Sequence, residues 1–461
     1  MNKTVTTSLK ASKASSTAFL LKVSAIAALG GLLFGYDTAV IAGAIGFLQV
    51  KFNLSAAMVG WAASSAIWGC VLGAMAAGYL SDKIGRKKVL LITAVLFAIS
   101  AIGSGIPNNL TQFILARFIG GLGVGAASML SPLYISEVAP AKIRGTLVSM
   151  YQLAIVIGIN LVYYINMQIA TQNSETWNIE MGWRYMFGSG TIPAVLFLLL
   201  LFLVPESPRW MIKNQREQDA LNTLEKVNGK EKALEVMQEI KEALKQETGT
   251  VSELFKPGLR VALLVGIVLA LFSQITGINA IIYYAPQIFK SIGFATDSAF
   301  TQTLFIGVVN TIFTFVALWL IDKVGRKALL LWGVSGMVLC LLGGGVCFYY
   351  SFTSGPWLLL FILGFIACFA SSLGPIPWVI MSEIFPTKIR GVAMSFCTMV
   401  LWIGVIMITQ LTPIMLEEIG GAFTFWIFMI NAIILLIFIW KMIPETMGRT
   451  LEEIEQSWVK V

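Results

Sequence analysis

The chain has 461 residues, of which 57% are hydrophobic, 12% charged and none His, and its mean hydropathy is +0.82. A water-soluble domain carries about 25% charge, so this composition excludes a set of soluble domains and reads as one integral membrane protein. Lys and Arg total 32 against 24 Asp and Glu, a formal charge of +8, but the five cysteines (Cys70, Cys340, Cys347, Cys368, Cys397) are scattered through apolar stretches, so neither a metal or haem carrier nor a disulfide framework is supported.

Residues 1–18, rich in Ser, Thr and Lys, read as a cytoplasmic tail that enters a retained first span without a cleavage pattern. A helix needs about 20 apolar residues to cross the hydrocarbon core. Runs of that length fall near 19–47, 57–80, 87–106, 111–134, 146–170 and 184–204, a six-helix half over 19–204. Residues 205–258 read as a cytoplasmic helical linker, in which 231–246 repeats apolar residues at helical spacing. A solvated linker is the plainer reading of that segment, and a part in gating the alternative. Six more runs, near 260–289, 298–320, 327–350, 356–381, 391–413 and 422–443, make a second half over 259–443, and 444–461 is a second cytoplasmic tail. Polar or Pro-rich stretches interrupt the seventh and tenth runs, around Gly277 and at GPIP 374–377. No series of alternating ten-residue strands points to a barrel. The expected fold class is an all-α membrane protein with twelve transmembrane helices in two pseudo-symmetric halves.

Of the basic residues, 28 fall at one end of these spans, Lys51, Arg184 and Lys290 at the other, and Arg117 within a span. The positive-inside rule makes the basic end, with both termini, cytoplasmic. The basic excess is then topological, and no nucleic-acid partner is expected.

The two halves repeat each other. DKIGRKKVLLI (82–92) recurs as DKVGRKALLLW (322–332), SEVAPAKIRGTLVS (136–149) as SEIFPTKIRGVAMS (382–395), and PESPRW (205–210) more loosely as PETMGR (444–449). Parallel repeats of this kind are a transporter architecture, with substrate held near the midplane and access alternated by rocking. The repeated charges are Asp82, Arg86, Glu137, Arg144, Glu206 and Arg209, mirrored by Asp322, Arg326, Glu383, Arg390, Glu445 and Arg449. They read as a cytoplasmic gate, an ion-pair network that latches the halves when the outer side is open. An exposed pair contributes only about 0–1 kcal/mol, so the latch acts as a network; plain anchoring of helix ends is the alternative.

Asp37 is the carboxylate that falls deep in a span, and Arg117 the basic residue. A charge at the bilayer centre costs roughly 2.5–3.5 kcal/mol and marks function. Pairing with Arg117 gives the acid one protonation state beside the guanidinium and another away from it, as a proton carrier requires; a static structural pair is the alternative. Gly121, Gly123 and Gly125 behind Arg117 let another helix approach. The other deep polar groups are neutral: Gln152, Ser273, Gln274, Thr276, Asn279, Asn310 and Gln410, with Tyr283 and Trp378 beside the helix breaks. Amides donate and accept, and aromatic faces pack on C–H groups. The set suits a neutral ligand with many hydroxyls, a sugar or polyol, whereas an anion would need another buried cation.

GYD (35–37), DKIGRK (82–87), PESPR (205–209), QITGIN (274–279), YYAP (283–286), DKVGRK (322–327), GPIPW (374–378) and PET (444–446) together carry a resemblance. Along essentially its whole length the chain resembles the sugar porter family of the major facilitator superfamily, and looks most like bacterial xylose–proton symporters and animal glucose facilitators. The resemblance implies the major facilitator fold, a cytoplasmic helical insert and a monosaccharide in a central cavity. Carried over by motif, Gln152, Gln274, Asn279, Asn310 and Trp378 meet the sugar, Phe34 and Tyr283 line the cavity, and Ser273 and Gly374 belong to the same set. Asp37 is the protonatable residue and Arg117 its partner; symporters of the family keep this Asp and the animal facilitators replace it. Two positions depart from the family pattern: Ser273 stands where an amide is usual, and Leu401 replaces the amide before Trp402. Both losses bear on which sugar is taken.

The expected function is proton-coupled import of a pentose or hexose across a bacterial cytoplasmic membrane by alternating access. A monomer in the lipid bilayer, with protons as coupling ion and no other cofactor, would carry it out. Uncoupled facilitation of a sugar or an inositol-like polyol competes with it. A non-transporting sensor is the reading from another class; such sensors generally have a long cytoplasmic tail, and about 18 residues follow the last span. With no nucleophile–base pair or metal cluster legible, an enzyme is not expected.

Overall fold

The computed structural model describes residues 2–140, 143–246, 254–255, 259–291, 293–352, 356–385 and 389–447. The first half consists of α1 (Asn2–Phe52), α2 (Ala56–Ile84), α3 (Arg86–Gly105), α4 (Leu110–Val138), α5 (Arg144–Thr171) and α6 (Glu175–Leu201). Three linker helices follow, α7 (Pro208–Lys213), α8 (Glu217–Asn228) and α9 (Lys230–Gln246). The second half consists of α10 (Leu259–Ile275), α11 (Ile278–Ser291), α12 (Thr296–Val324), α13 (Arg326–Tyr349), α14 (Trp357–Ala370), α15 (Ile376–Ile384), α16 (Arg390–Glu418) and α17 (Gly420–Met442). Among the described residues eleven helical spans are long and apolar enough to cross a membrane, and α14 is a shorter apolar helix. Their outer faces leave side chains such as Ile192 (75% exposed) and Trp332 (78%) uncovered, which only a lipid environment would tolerate in such number.

The two interrupted spans break for identifiable reasons. Gly277 separates α10 from α11 with φ +96°, and a Cβ there would stand 2.4 Å from the Phe428 ring. Glycine alone fits both conditions. The tenth span ends as a helix at Ala370, turns over 371–375 and restarts as α15. Pro375 and Pro377 sit at that restart, where a missing N–H costs nothing. The chain differs from expectation at its beginning, where helix already runs from Asn2 through the segment read as a tail.

Within the first half α2 and α4 touch backbone to backbone. A Cβ on Gly121 would lie 1.8 Å from the Ala66 carbonyl, and one on Gly125 2.0 Å from that of Cys70. Close approach through small residues is how helices associate in lipid, where no hydrophobic drive distinguishes neighbour from solvent. Gly123 faces α3 instead, with the Thr93 carbonyl 3.4 Å from its Cβ position. The linker is docked as well as solvated: Trp210, Met211, Ile212 and Ala220 pack with Met237, Ile240 and Leu244, the indole N–H of Trp210 donates to the Asp82 carbonyl at 2.9 Å, and Lys213 pairs with Asp82 at 2.9 Å.

Candidate substrate and proton site

Asp37 and Arg117 meet inside the first half. Arg117 Nη1 donates to Asp37 Oδ1 at 2.7 Å and Nη2 to the Asp37 carbonyl at 2.8 Å, with the side chains 2% (Arg) and 12% (Asp) exposed. The guanidinium lies 5.2 Å from the centroid of the Phe187 ring. Asp37 Oδ2 is buried with no hydrogen-bond partner. Beside it a cavity of about 10 Å³, lined by Tyr36, Phe97, Phe187 and Gly190 among others, is at the lower limit for one water. Neither charge faces lipid, and Oδ2 is the carboxylate oxygen that Arg117 leaves unengaged.

Three of the neutral polar residues, Ser273, Gln274 and Asn279, meet in the second half around the break at Gly277. Asn279 Nδ2 donates to Gln274 Oε1 at 2.7 Å, and Gln274 Nε2 donates to Ser273 Oγ at 3.0 Å. Gln274 and Asn279 are half-buried, whereas Ser273 is only 1% exposed and lies behind them. Gln152 on α5, Asn310 on α12, Phe34 on α1 and Gly374 in the 371–375 turn are half-buried, Trp378 on α15 is 39% exposed, and Tyr283 on α11 is buried. Sequence reasoning gave Trp402 and Asn160 no role. The Trp402 ring lies 5.8 Å from that of Phe34 across the two halves, and its indole N–H is buried without a partner. Asn160 Nδ2 reaches the Gly307 carbonyl at 3.0 Å and Thr311 Oγ1 at 2.7 Å, again across the halves. A tryptophan in an apolar span, whose indole N–H needs a partner, is the sequence signal that could have marked the first; an amide among many, like Asn160, gives none.

The repeated charges form one device twice. Arg86 pairs with Glu137 at 3.0 Å and Asp82 at 2.8 Å, and Arg326 pairs with Glu383 at 3.1 Å. Glu206 accepts from the backbone N–H groups of Arg86 (2.9 Å), Lys87 (3.1 Å) and Ser207 (2.8 Å); Glu445 accepts from those of Arg326, Lys327 and Thr446, each at 3.0 Å. Each glutamate thus caps the start of α3 or α13, where unsatisfied N–H groups favour an anion. Gly85 (φ +103°) and Gly325 (φ +94°) make room, since a Cβ on either would meet that carboxylate within 2.5 Å. Burial pushes the Glu206 carboxyl up, against the pull of its N–H donors; at Glu445 burial acts the same way but four N–H donors hold the carboxyl below its ordinary range. These pairs lie within one half, so they brace helix ends here and do not bridge the halves. Arg390 donates to the Phe385 carbonyl at 3.3 Å, Arg144 is exposed at the start of α5 and Arg209 is half-buried on α7. Arg449 and the side chain of Asp322 lie outside the described residues.

The halves are tied instead toward the end opposite the charge motifs. Ser64 donates to Gln410 Oε1 at 2.9 Å, Gln410 Nε2 to the Ala57 carbonyl at 3.0 Å, and Gln287 Nε2 to Gln49 Oε1 at 3.2 Å. Tyr163 donates to the Ile282 carbonyl at 2.7 Å, and Lys290 lies 3.9 Å from Glu175. Gln410 therefore ties the halves and is not grouped with Gln274 and Asn279.

Residues 23–458 match the family described as Sugar (and other) transporter. The chain is 46% identical to the arabinose-proton symporter of Bacillus subtilis (strain 168) over 446 residues, 96% of each chain, and 40% identical to the D-xylose-proton symporter of Escherichia coli (strain K12) over 476 residues, also 96% of each. The inward-open conformation of the xylose transporter XylE from E. coli matches with a TM-score of 0.85 at 40% identity, covering 95% of this chain and 100% of that one. The same transporter bound to 6-bromo-6-deoxy-D-glucose gives 0.80 at 39% identity, covering 96% and 100%. With the family matched over nearly the full chain, this protein belongs to the sugar porter family of the major facilitator superfamily.

Proposed function

We propose that this chain imports a monosaccharide, a pentose foremost, together with a proton, across a bacterial plasma membrane with its charge-motif end in the cytoplasm. The Asp37–Arg117 pair carries the reading. When the outer side is open, Asp37 takes a proton and releases the guanidinium, while Gln152, Gln274, Asn279, Asn310 and Trp378 hold the sugar. After the halves rock, Arg117 re-engages the carboxylate and the proton leaves to the cytoplasm. The 2.7 Å ion pair, in a molecule whose halves are tied at the end away from the charge motifs, fits the state that follows proton release. One proton charge crossing inward supplies about 2.3 kcal/mol per 100 mV, enough for accumulation of tens-fold. The pentose preference draws support from the relatives named for arabinose and xylose.

The test is uptake by proteoliposomes offered labelled L-arabinose, D-xylose, D-glucose and myo-inositol, with and without an inward proton gradient. At least one pentose is expected to accumulate well above the medium only with the gradient. Equilibration to the outside concentration under both conditions would leave an uncoupled facilitator in its place.

A further inference from the structure

Three hydrogen bonds around Gly277 run in a fixed direction. The Ser273 hydroxyl, 1% exposed in the last turn of α10, donates to the Ala270 carbonyl at 2.8 Å. A hydroxyl has one proton, so toward Gln274 this oxygen can only accept, and Gln274 turns its Nε2 to it at 3.0 Å. Gln274 Oε1 is thereby aimed at Asn279, which answers with Nδ2 at 2.7 Å. Asn279 is then left holding out Oδ1, an acceptor. Terminal amide torsions are broad and roughly two-fold, so without an anchor the two amides could turn over as a pair. Gln274 would then donate to Asn279, and Asn279 would offer N–H groups only.

We infer that Ser273 is a specificity-determining positioning residue, whose single buried proton sets the polarity of the Gln274–Asn279 pair so that Asn279 Oδ1 accepts from a substrate hydroxyl. The inference rests on the proposed reading that these two amides meet the sugar. Its consequence is that the sugar must donate at that point. Replacing the hydroxyl there by fluorine, which cannot donate, leaves Oδ1 unpaired and costs about ten-fold or more in affinity.

The experiment measures binding of D-xylose, L-arabinose and their single deoxyfluoro analogues to the purified full chain. It uses the wild type, Ser273→Ala, Ser273→Cys and Ser273→Thr, with Asn279→Ala as reference. In the wild type one ring position is expected to show the ten-fold fluorine penalty. In Ser273→Ala the amide pair turns over, and the penalty at that position falls several-fold while the parent sugar weakens less. Ser273→Cys, of similar volume but a poor acceptor, gives the same result should the alanine variant fold badly, and Ser273→Thr retains the wild-type penalty. A fluorine penalty unchanged in both Ala and Cys variants overturns the inference. Unaltered sugar affinity in Asn279→Ala overturns the binding reading beneath it, a separate result.

Discussion

Asp37 keeps one oxygen on Arg117 and leaves Oδ2 buried without a partner, a state that costs about 1–3 kcal/mol. In the proposed cycle a proton on Oδ2 would remove the charge that holds Arg117, giving the pair its second form. The pairing itself was legible from sequence, because an ionisable residue in an apolar span is rare enough to demand a partner. The amides proposed to face the sugar were legible only as a set. Ser273 shows why: its place in the motif puts it with the contacts, and the structure buries it to 1% exposure, where it accepts from Gln274. Backbone conformation gives a further residue-scale expectation at Gly277. Gly277→Ala meets both the φ of +96° and the Phe428 ring at 2.4 Å, so it should lower the unfolding temperature in detergent and abolish uptake. Adding Phe428→Ala removes the clash but not the torsional strain and should restore only part of the loss. Full restoration by the second change would show that sterics alone excluded a side chain.

Helix ends supply the second scale. The DKxGRK and PE motifs are repeated because the same joint is built twice: a glycine at positive φ, a helix starting beside it, and a glutamate from a distant loop capping that start. From sequence their charges read as a latch between the halves when the outer side is open; in the present state the pairs brace helix ends within each half. The two caps differ in their titration. Glu445 lies below its ordinary 4.5, so its contribution is present above that pH and is lost as pH falls through the depressed value. Glu206 lies above 4.5, so its ionised form costs stability at neutral pH and the cost is relieved as pH falls toward 4.5. Thermal unfolding followed by intrinsic fluorescence should therefore show Glu445→Gln more damaging than Glu206→Gln at pH 7, with the gap narrowing near pH 4. Equal losses at both pH values would contradict this asymmetry. The spans themselves were readable because about 20 apolar residues in a row have one outcome in lipid. The split of the tenth into α14 and α15 was foreshadowed by its prolines: they place the break at 374–377, and the turn runs over 371–375.

For the molecule as a whole, the internal repeat announced two halves, but nothing in the order of residues says which way they are tilted. Tilt is set by small differences among many contacts between halves, and here those contacts gather away from the charge motifs. Removing one should move the balance. Gln410→Ala deletes the bonds to Ser64 and Ala57, and spin labels at Asn53 and Glu417, both exposed at that end, should report a larger population of long separations. An unchanged distance distribution would show that Gln410 does not hold this end shut.

The central claim is that sugar and proton cross together through Asp37, and sugar-driven proton movement tests it most directly. Proteoliposomes loaded with a pH-sensitive dye, with no imposed gradient, receive L-arabinose or D-xylose outside. The lumen is expected to acidify with the wild type, and to stay at its starting pH with Asp37→Asn, even though that variant still exchanges labelled sugar across the membrane. Acidification that survives Asp37→Asn, or sugar entry through the wild type with no pH change, would contradict it.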